Sequence, residues 1–409
     1  MRISFCLFIT FITTLIILTS CDSNDDVSID NPYLVGIPQI YIFTEKASKI
    51  ESKTEYVNCS ISIRNSTDSI DEADGKIRGR GNATWRMYPK KPYKIKFIQK
   101  ESLFGFPSNK DWVLLADILD RSMLRTPAMC ELSNAIGMDY TVNYKAVDLF
   151  LNGEYEGLYY LTDQVERSEN RINVEDDGFI IEDDAYFSSE PAYFSTDLLN
   201  LHYTFKYPEY EDDTFNEKLD YIKTYMDKLE CVLFKLVSDS TNIDYSEIID
   251  VDSFAKWYLV NELMSNYDPN RYYVLYNKNS KLKMFPLWDP EWSFGLWPVG
   301  QWADQPTSMV ENAIWKERLY FPYLVRSPLF IRSLKCNWRE LREYIPLVKD
   351  KLRKHSEEIR LSQEKNLTIW GGQYRNVNIW KDSWDKEVEY IFDFLERREE
   401  WLDWHINSL

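Results

Sequence analysis

The hydrophobic period of the chain changes near Phe215, and this change restricts its fold more than any other feature of the sequence. Ahead of it the apolar residues favour strands at Pro38 to Phe43, Tyr56 to Ile63, Trp112 to Ala116 and Gly178 to Glu182, with two more inside Lys76 to Phe97 around a turn at Pro89. Tyr144 to Leu151 and Gly157 to Thr162 flank Asn152-Gly153, a residue pair that closes two-stranded hairpins. One helical stretch interrupts them, Asp120 to Ala135, where Pro127 kinks the helix or starts it afresh. From Phe215 the apolar positions recur every three or four residues through Leu219, Ile222, Met226, Leu229, Leu233 and Leu236, an amphipathic helix of about six turns. A second helix is expected over Asp252 to Ser265, then strands at Tyr272 to Tyr276 and Leu282 to Leu287, and helices alone after about Trp297. Strands first and helices later define an α+β class.

The 409 residues are 44% hydrophobic and 15% aromatic, enough to bury a large core and to exclude a disordered chain. The 66 acidic residues outnumber the 48 Lys and Arg for a net charge of −18, which excludes a general nucleic-acid binder because phosphates need a basic face. At the N-terminus, Arg2 precedes an apolar run from Phe5 to Leu18 that ends in Leu18-Thr19-Ser20-Cys21 and the acidic stretch Asp22 to Asp26. That is the layout of a signal peptide, and its end resembles a bacterial lipobox, in which the Cys is lipidated and becomes the first mature residue. A short membrane anchor is the alternative. The expected organisation is therefore a lipoprotein signal peptide over 1–20, a flexible tether over 21–35, a main domain over 36–300 and a helical extension over 301–409 packed on it. The lipid on Cys21 would hold the protein at the outer membrane or cell surface of a bacterium.

Four cysteines remain after Cys6 and Cys21. Cys59, Cys130, Cys231 and Cys336 are too far apart for a metal knuckle or a compact disulfide framework, and apolar neighbours suggest buried free thiols. His202, His355 and His405 form none of the spacings of a zinc site.

Three clusters could carry chemistry. The segment Lys76 to Phe97 holds eight positive charges and no acid. Strand alternation puts Arg78 with Arg80, and Lys94 with Lys96, on one face each, while Gly79 and Gly81 admit a ligand close to the backbone, an arrangement suited to polyphosphate. Pairing with surplus surface acids is the plainer reading. The second cluster, Asn266-Tyr267-Asp268-Pro269-Asn270, follows a helix and precedes a strand, where functional polar residues commonly lie, although an ordinary turn has the same composition. In the third, Trp288-Asp289-Pro290-Glu291-Trp292, two carboxylates two residues apart at a strand end can face one site, and such hard oxygen ligands suit Mg or Mn. A polar strand terminus anchored by Trp is its alternative.

Taken together, Arg78-Gly-Arg-Gly-Asn-Ala-Thr-Trp85, Lys90-Lys-Pro-Tyr-Lys-Ile-Lys-Phe97, Asp111-Trp-Val-Leu-Leu-Ala116 with Leu124-Arg125, Asn152 to Tyr159, Asn266-Tyr-Asp268 and Trp288-Asp-x-Glu-Trp-Ser-Phe-Gly295 resemble the spore-coat CotH proteins and CotH-type kinases, in order, over roughly Pro38 to Gly295. With the lipobox, the sequence looks like a Bacteroidetes-type lipoprotein member. The resemblance implies an atypical protein-kinase-like fold and transfer of the ATP γ-phosphate, with Mg or Mn, to Ser or Thr of extracytoplasmic proteins. By position it implies that Asp268 is catalytic, that Lys94 or Lys96 grips the nucleotide phosphates, and that Asp289 and Glu291 hold the metal; Arg78, Arg80 and Asn270 join Lys94 and Lys96 as candidate nucleotide-binding residues. Two positions depart from the family pattern: Pro290-Glu291 stand where the family has an aromatic and Asp, and Asp163-Gln164 where it has Glu-Gln, a shorter acid facing the lysine. These departures keep open a catalytically degenerate surface adhesin or scaffold. The Trp-rich, acidic composition keeps open a glycan-binding or glycan-cleaving protein with Asp268 and Asp289 as its carboxylates.

If Cys21 carries the anchor, Cys21→Ala leaves the membrane fraction on cell fractionation, because a multiply acylated Cys holds firmly where its absence leaves nothing. Unchanged retention would defeat the lipobox reading.

Overall fold

A computed structural model describes residues 36–65, 69–237, 244–296, 310–371 and 381–409, all within one compact unit, 34–409. The expected signal peptide, Cys21 and the expected tether lie outside the described residues. No helix among the described residues is long and apolar enough to cross a membrane.

The strand-rich part is a barrel of seven strands: β1 (Gln39–Thr44), β2 (Val57–Arg64), β3 (Ile70–Gly79), β4 (Tyr93–Glu101), β5 (Asn109–Leu115), β6 (Tyr144–Leu151) and β7 (Glu154–Asp163). Their order is β1-β2-β3-β4-β5-β7-β6, and β6 returns to pair in parallel with β1, Ile40 opposite Leu149, which closes the sheet. Alternation fills the interior with Ile40, Ile42, Ile61, Ile77, Ile95, Trp112, Leu114 and Leu161, and turns Arg78, Lys94 and Val113 outward in one row. The expected turn at Pro89 contains a short helix, α1 (Ala83–Met87). Helix α2 (Arg125–Ala135) begins just before Pro127, so the proline occupies a first-turn position whose N–H would lack a helical partner in any case.

A second sheet joins β8 (Phe179–Asp183), β9 (Tyr193–Ser195), β10 (His202–Tyr207), β11 (Arg271–Leu275) and β12 (Lys283–Met284) in the order β12-β11-β8-β10-β9. Helices α3 (Phe215–Lys235) and α4 (Val251–Leu263) pack with it in the larger core. The class is α+β, with strands leading and helices following. After α5 (Phe321–Leu324) come α6 (Pro328–Trp370), 43 residues long, and α7 (Trp384–Ser408). The first half of α6 buries Leu334, Leu341 and Ile345 in the helical core; its second half docks on the β6–β7 hairpin, where Ser362 Oγ donates to Asp148 and Trp370 Nε1 to the Glu156 carbonyl.

One expectation about the thiols is corrected. All four described cysteines are free, but only Cys59 and Cys130 are buried; Cys231 and Cys336 are exposed because the helical period turns them to the outer faces of α3 and α6. Burial pushes the Cys59 thiol up to about 12, so it is unreactive at neutral pH.

Gly157 marks where α6 meets the barrel. Its φ of 111° is left-handed space, and a Cβ there would lie 2.4 Å from Asn366 Oδ1 and 3.0 Å from Trp370 Nε1. Gly157→Ala should therefore destabilise the protein by about 2–4 kcal/mol, read as a lower urea midpoint at unchanged slope. A midpoint equal to wild type would mean that α6 does not press on the hairpin.

Candidate active site

Two loops meet at the end of the second sheet. Met264 to Asn270 leaves α4, and Trp288 to Phe294 follows β12 after a stretch without regular structure. Three backbone hydrogen bonds staple them: Phe294 N–H to the Met264 carbonyl (2.7 Å), Tyr267 N–H to the Trp292 carbonyl (2.9 Å) and Asn270 N–H to the Trp288 carbonyl (3.2 Å). The second and third sequence clusters are thereby one site. The expected strand to Leu287 shrinks to Lys283–Met284, so alternation does not aim Asp289 and Glu291. Asp289 adopts φ 60°, and Glu291 Oε1 accepts the Leu119 N–H at 3.1 Å.

That contact brings in the loop after β5. Asp120 caps α2 by accepting from Arg125 N–H, and Arg125 Nε donates to the Ser293 carbonyl at 3.0 Å, tying this loop to the acidic one. Asp117 on the same loop is buried and accepts from Thr126 Oγ1 at 2.6 Å. Loss of hydration holds the carboxyls of Asp117 and Glu291 above the ordinary range, helped at Asp117 by the charge of Asp120 and at Glu291 by the charges of Asp117 and Asp289. Asp289 is open to solvent on one side. Dehydration on its other sides, then repulsion from Asp268, pushes its carboxyl up to about 7, a rise that the open side tempers. Asp268 itself is exposed, with Arg271 Nη1 3.7 Å from its Oδ1.

The basic residues divide into two groups. Arg80 reaches this site: its guanidinium lies 5.6 Å from the Trp288 ring centroid and counters the Asp289 charge. Lys94 pairs with Asp111 at 2.9 Å and Lys96 with the same carboxylate at 3.6 Å. Arg78 donates to the carbonyls of Lys53 and Gly79 and lies over the Tyr56 ring. The backbone opening expected at Gly79 is filled from within, since a Cβ there would meet the Trp85 ring at 2.4 Å, and the amides of Gly79 and Arg80 donate to the Ser52 and Pro92 carbonyls. Asn270 Nδ2 donates to Glu182, whose other oxygen pairs with Lys206 at 2.7 Å. Asp163 is held by Tyr140, Asn143 and Arg171, so the acid that engages the lysines is Asp111 on the neighbouring strand.

Asp117 and Glu182 carried no site signal in the sequence beyond the count of charges, while Lys90 and Arg125 stood in the family-like segments without an assigned role. Lys90 is 1% exposed; its Nζ donates to the Ala116 carbonyl at 2.8 Å and to that of Leu158, and it lies over the Tyr159 ring.

Asp289 and Glu291 offer two carboxylates, and Asn266, whose Nδ2 donates to the Asp289 carbonyl, has a buried Oδ1 that accepts from no donor among the described residues. No three His, Cys, Asp or Glu residues converge as a metal cluster among the described residues. Mg or Mn fits such a set, since Mg takes one or two carboxylates and completes its shell with water and phosphate oxygens.

This is an α+β protein with a stapled two-loop acidic site beside a basic barrel face. A family model described as CotH kinase protein matches residues 77–402, and the chain belongs to the CotH kinase family. The match begins later than Pro38 and runs past Gly295 into the last helix, so α6 and most of α7 belong to the family region. No curated protein matches.

Loss of hydration lowers the Lys90 ammonium to about 7 from 10.5, against the pull of Asp117 and Glu291. The folded protein thus releases this proton more readily than the unfolded chain, and stability should rise with pH from about 7 towards the ordinary lysine value. Relative to Lys90→Met, wild type should gain in urea midpoint over that window and run parallel below it; parallel curves throughout would refute the shift.

Proposed function

We propose that the protein is an atypical kinase-like phosphotransferase that moves the ATP γ-phosphate to Ser or Thr hydroxyls of extracytoplasmic proteins, from a lipid-anchored position at the bacterial surface. The observation that carries this reading is the stapling of the Asp268 loop to the Asp289–Glu291 loop, which brings a solvent-facing carboxylate beside a pair of metal-type ligands. Family membership supports it, and the kinase-like architecture is part of the proposal.

Asp289 and Glu291 would hold Mg or Mn, and a bound divalent cation would supply neutralisation of charge on the β and γ phosphates. Arg80 offers a fixed cation to the phosphates at the same place. Lys94, more enclosed than Lys96, is the lysine better held for a phosphate contact, and Asp111 fixes its direction. Asp268 accepts a hydrogen bond from the acceptor hydroxyl, orients its oxygen at the γ-phosphorus and takes up the proton as the new O–P bond forms and ADP departs. Asn270 holds the base of this loop against Glu182 and Tyr272.

Incubation of the mature protein with γ-labelled ATP and Mg or Mn tests this, with α-labelled ATP run beside it to detect nucleotidyl transfer. Asp289→Ala should lose metal-dependent nucleotide binding. Asp268→Asn should keep nucleotide affinity while turnover falls by roughly two to four powers of ten. Reversed outcomes would exchange the two roles, and a wild type that binds no nucleotide with either metal would replace the kinase reading by the scaffold.

A further inference from the structure

We propose that Asn266, through its side-chain oxygen, is a ligand of the divalent cation that Asp289 holds. The inference rests on the proposed function and adds to it a neutral ligand from the other loop.

Three of the four hydrogen-bonding groups of Asn266 are fixed. Its N–H donates to the Asn261 carbonyl at 2.8 Å, its carbonyl accepts Trp315 Nε1 at 2.9 Å, and its Nδ2 donates to the Asp289 carbonyl at 3.2 Å. The last bond also fixes which way the amide faces, because turning it over would set Oδ1 against another carbonyl oxygen. Oδ1 is left, in a side chain only 1% exposed, with no donor among the described residues. An unsatisfied buried acceptor costs about 1–3 kcal/mol, so a residue pinned at three points with its fourth group orphaned requires an occupant. Water does not reach the atom. A bare cation needs less room beside the atom than water does, since it approaches oxygen to about 2.1 Å, against about 2.8 Å for a hydrogen-bonded water.

The chemistry of the neighbours fits the same occupant. Asp289 and Glu291 offer two carboxylates, and no third His, Cys, Asp or Glu converges with them as a metal cluster among the described residues, so a hexacoordinate ion must take neutral oxygens. Asn270, the other asparagine of the loop, donates through Nδ2 to Glu182 and Tyr272, and its oxygen is not among the buried acceptors left without a donor in the described residues.

The test is a Mn2+ titration of the mature protein followed by electron paramagnetic resonance, with a non-hydrolysable ATP analogue saturating. Wild type should bind Mn2+, Asn266→Leu should weaken it at least about tenfold, and Asn266→Asp, which keeps an oxygen and adds charge, should bind as tightly as wild type or more so. Thermal unfolding without metal checks that each variant folds. If Asn266→Leu fails to fold, Asn266→Asp decides alone, and weaker Mn2+ binding by it overturns the inference. Asn266→Leu within twofold of wild type overturns it while leaving the kinase reading intact. Metal binding with the expected losses but no phosphoryl transfer sustains the ligand and removes the kinase, whereas a wild type that binds no Mn2+ removes both.

Discussion

The ion pair between Glu262 and Arg398 is fully enclosed, at 2.7 Å, and the geometry of the site descends from it. Burying two charges is costly unless each is satisfied on every side. Here the Glu262 carboxylate also accepts the N–H groups of Ile314 and Trp315, while Arg398 donates to the carbonyls of Glu262, Val310 and Asn312. Trp315, so placed, holds the Asn266 carbonyl, and Arg318 covers the Tyr267 ring and donates to its carbonyl. Removal of one member of such a pair costs about 3–5 kcal/mol, and in this molecule the damage would pass from the last helix directly into the loop that carries Asp268.

The parts of the fold visible in the sequence are those set by local period. The helix expected from Phe215 is found over Phe215–Lys235, and the Asn152-Gly153 hairpin stands as read. Closure of the barrel was not legible, because the parallel pairing of β1 with β6 joins segments about a hundred residues apart and leaves no mark on either. The length of α6 was hidden by Pro346, which breaks the local helical signal but not the helix. Within the site, Asp268 and Asp289 stood out because they lie in recognisable motifs. Asp117, Arg125 and Lys90 gain their surroundings only when the loop after β5 folds under the acidic loop, which no spacing in the sequence announces.

The shortened acid at Asp163 illustrates how one substitution is absorbed. A buried carboxylate needs donors, and Asp163 finds them in Tyr140, Asn143 and Arg171 on its own side of the sheet. Arg171 in turn donates to the Asp111 carbonyl and pairs with Glu166, whose carboxyl loss of hydration raises to about 7. Asp111 keeps its side chain for Lys94 and Lys96. The cation on the barrel face is thus held without help from the residue that resemblance would have assigned to it.

Helix α6 spans about 64 Å at 1.5 Å per residue and is fastened at both ends to different bodies, its first half to α4 and its second to the barrel hairpin. Pro346 lies between the two attachments, at the position where the helix forgoes one of its own hydrogen bonds. A rod clamped at both ends couples the barrel to the helical part and restrains movement of one against the other. Movement of the two parts is therefore carried by the loops, or else concentrated in a bend of this strut at Pro346.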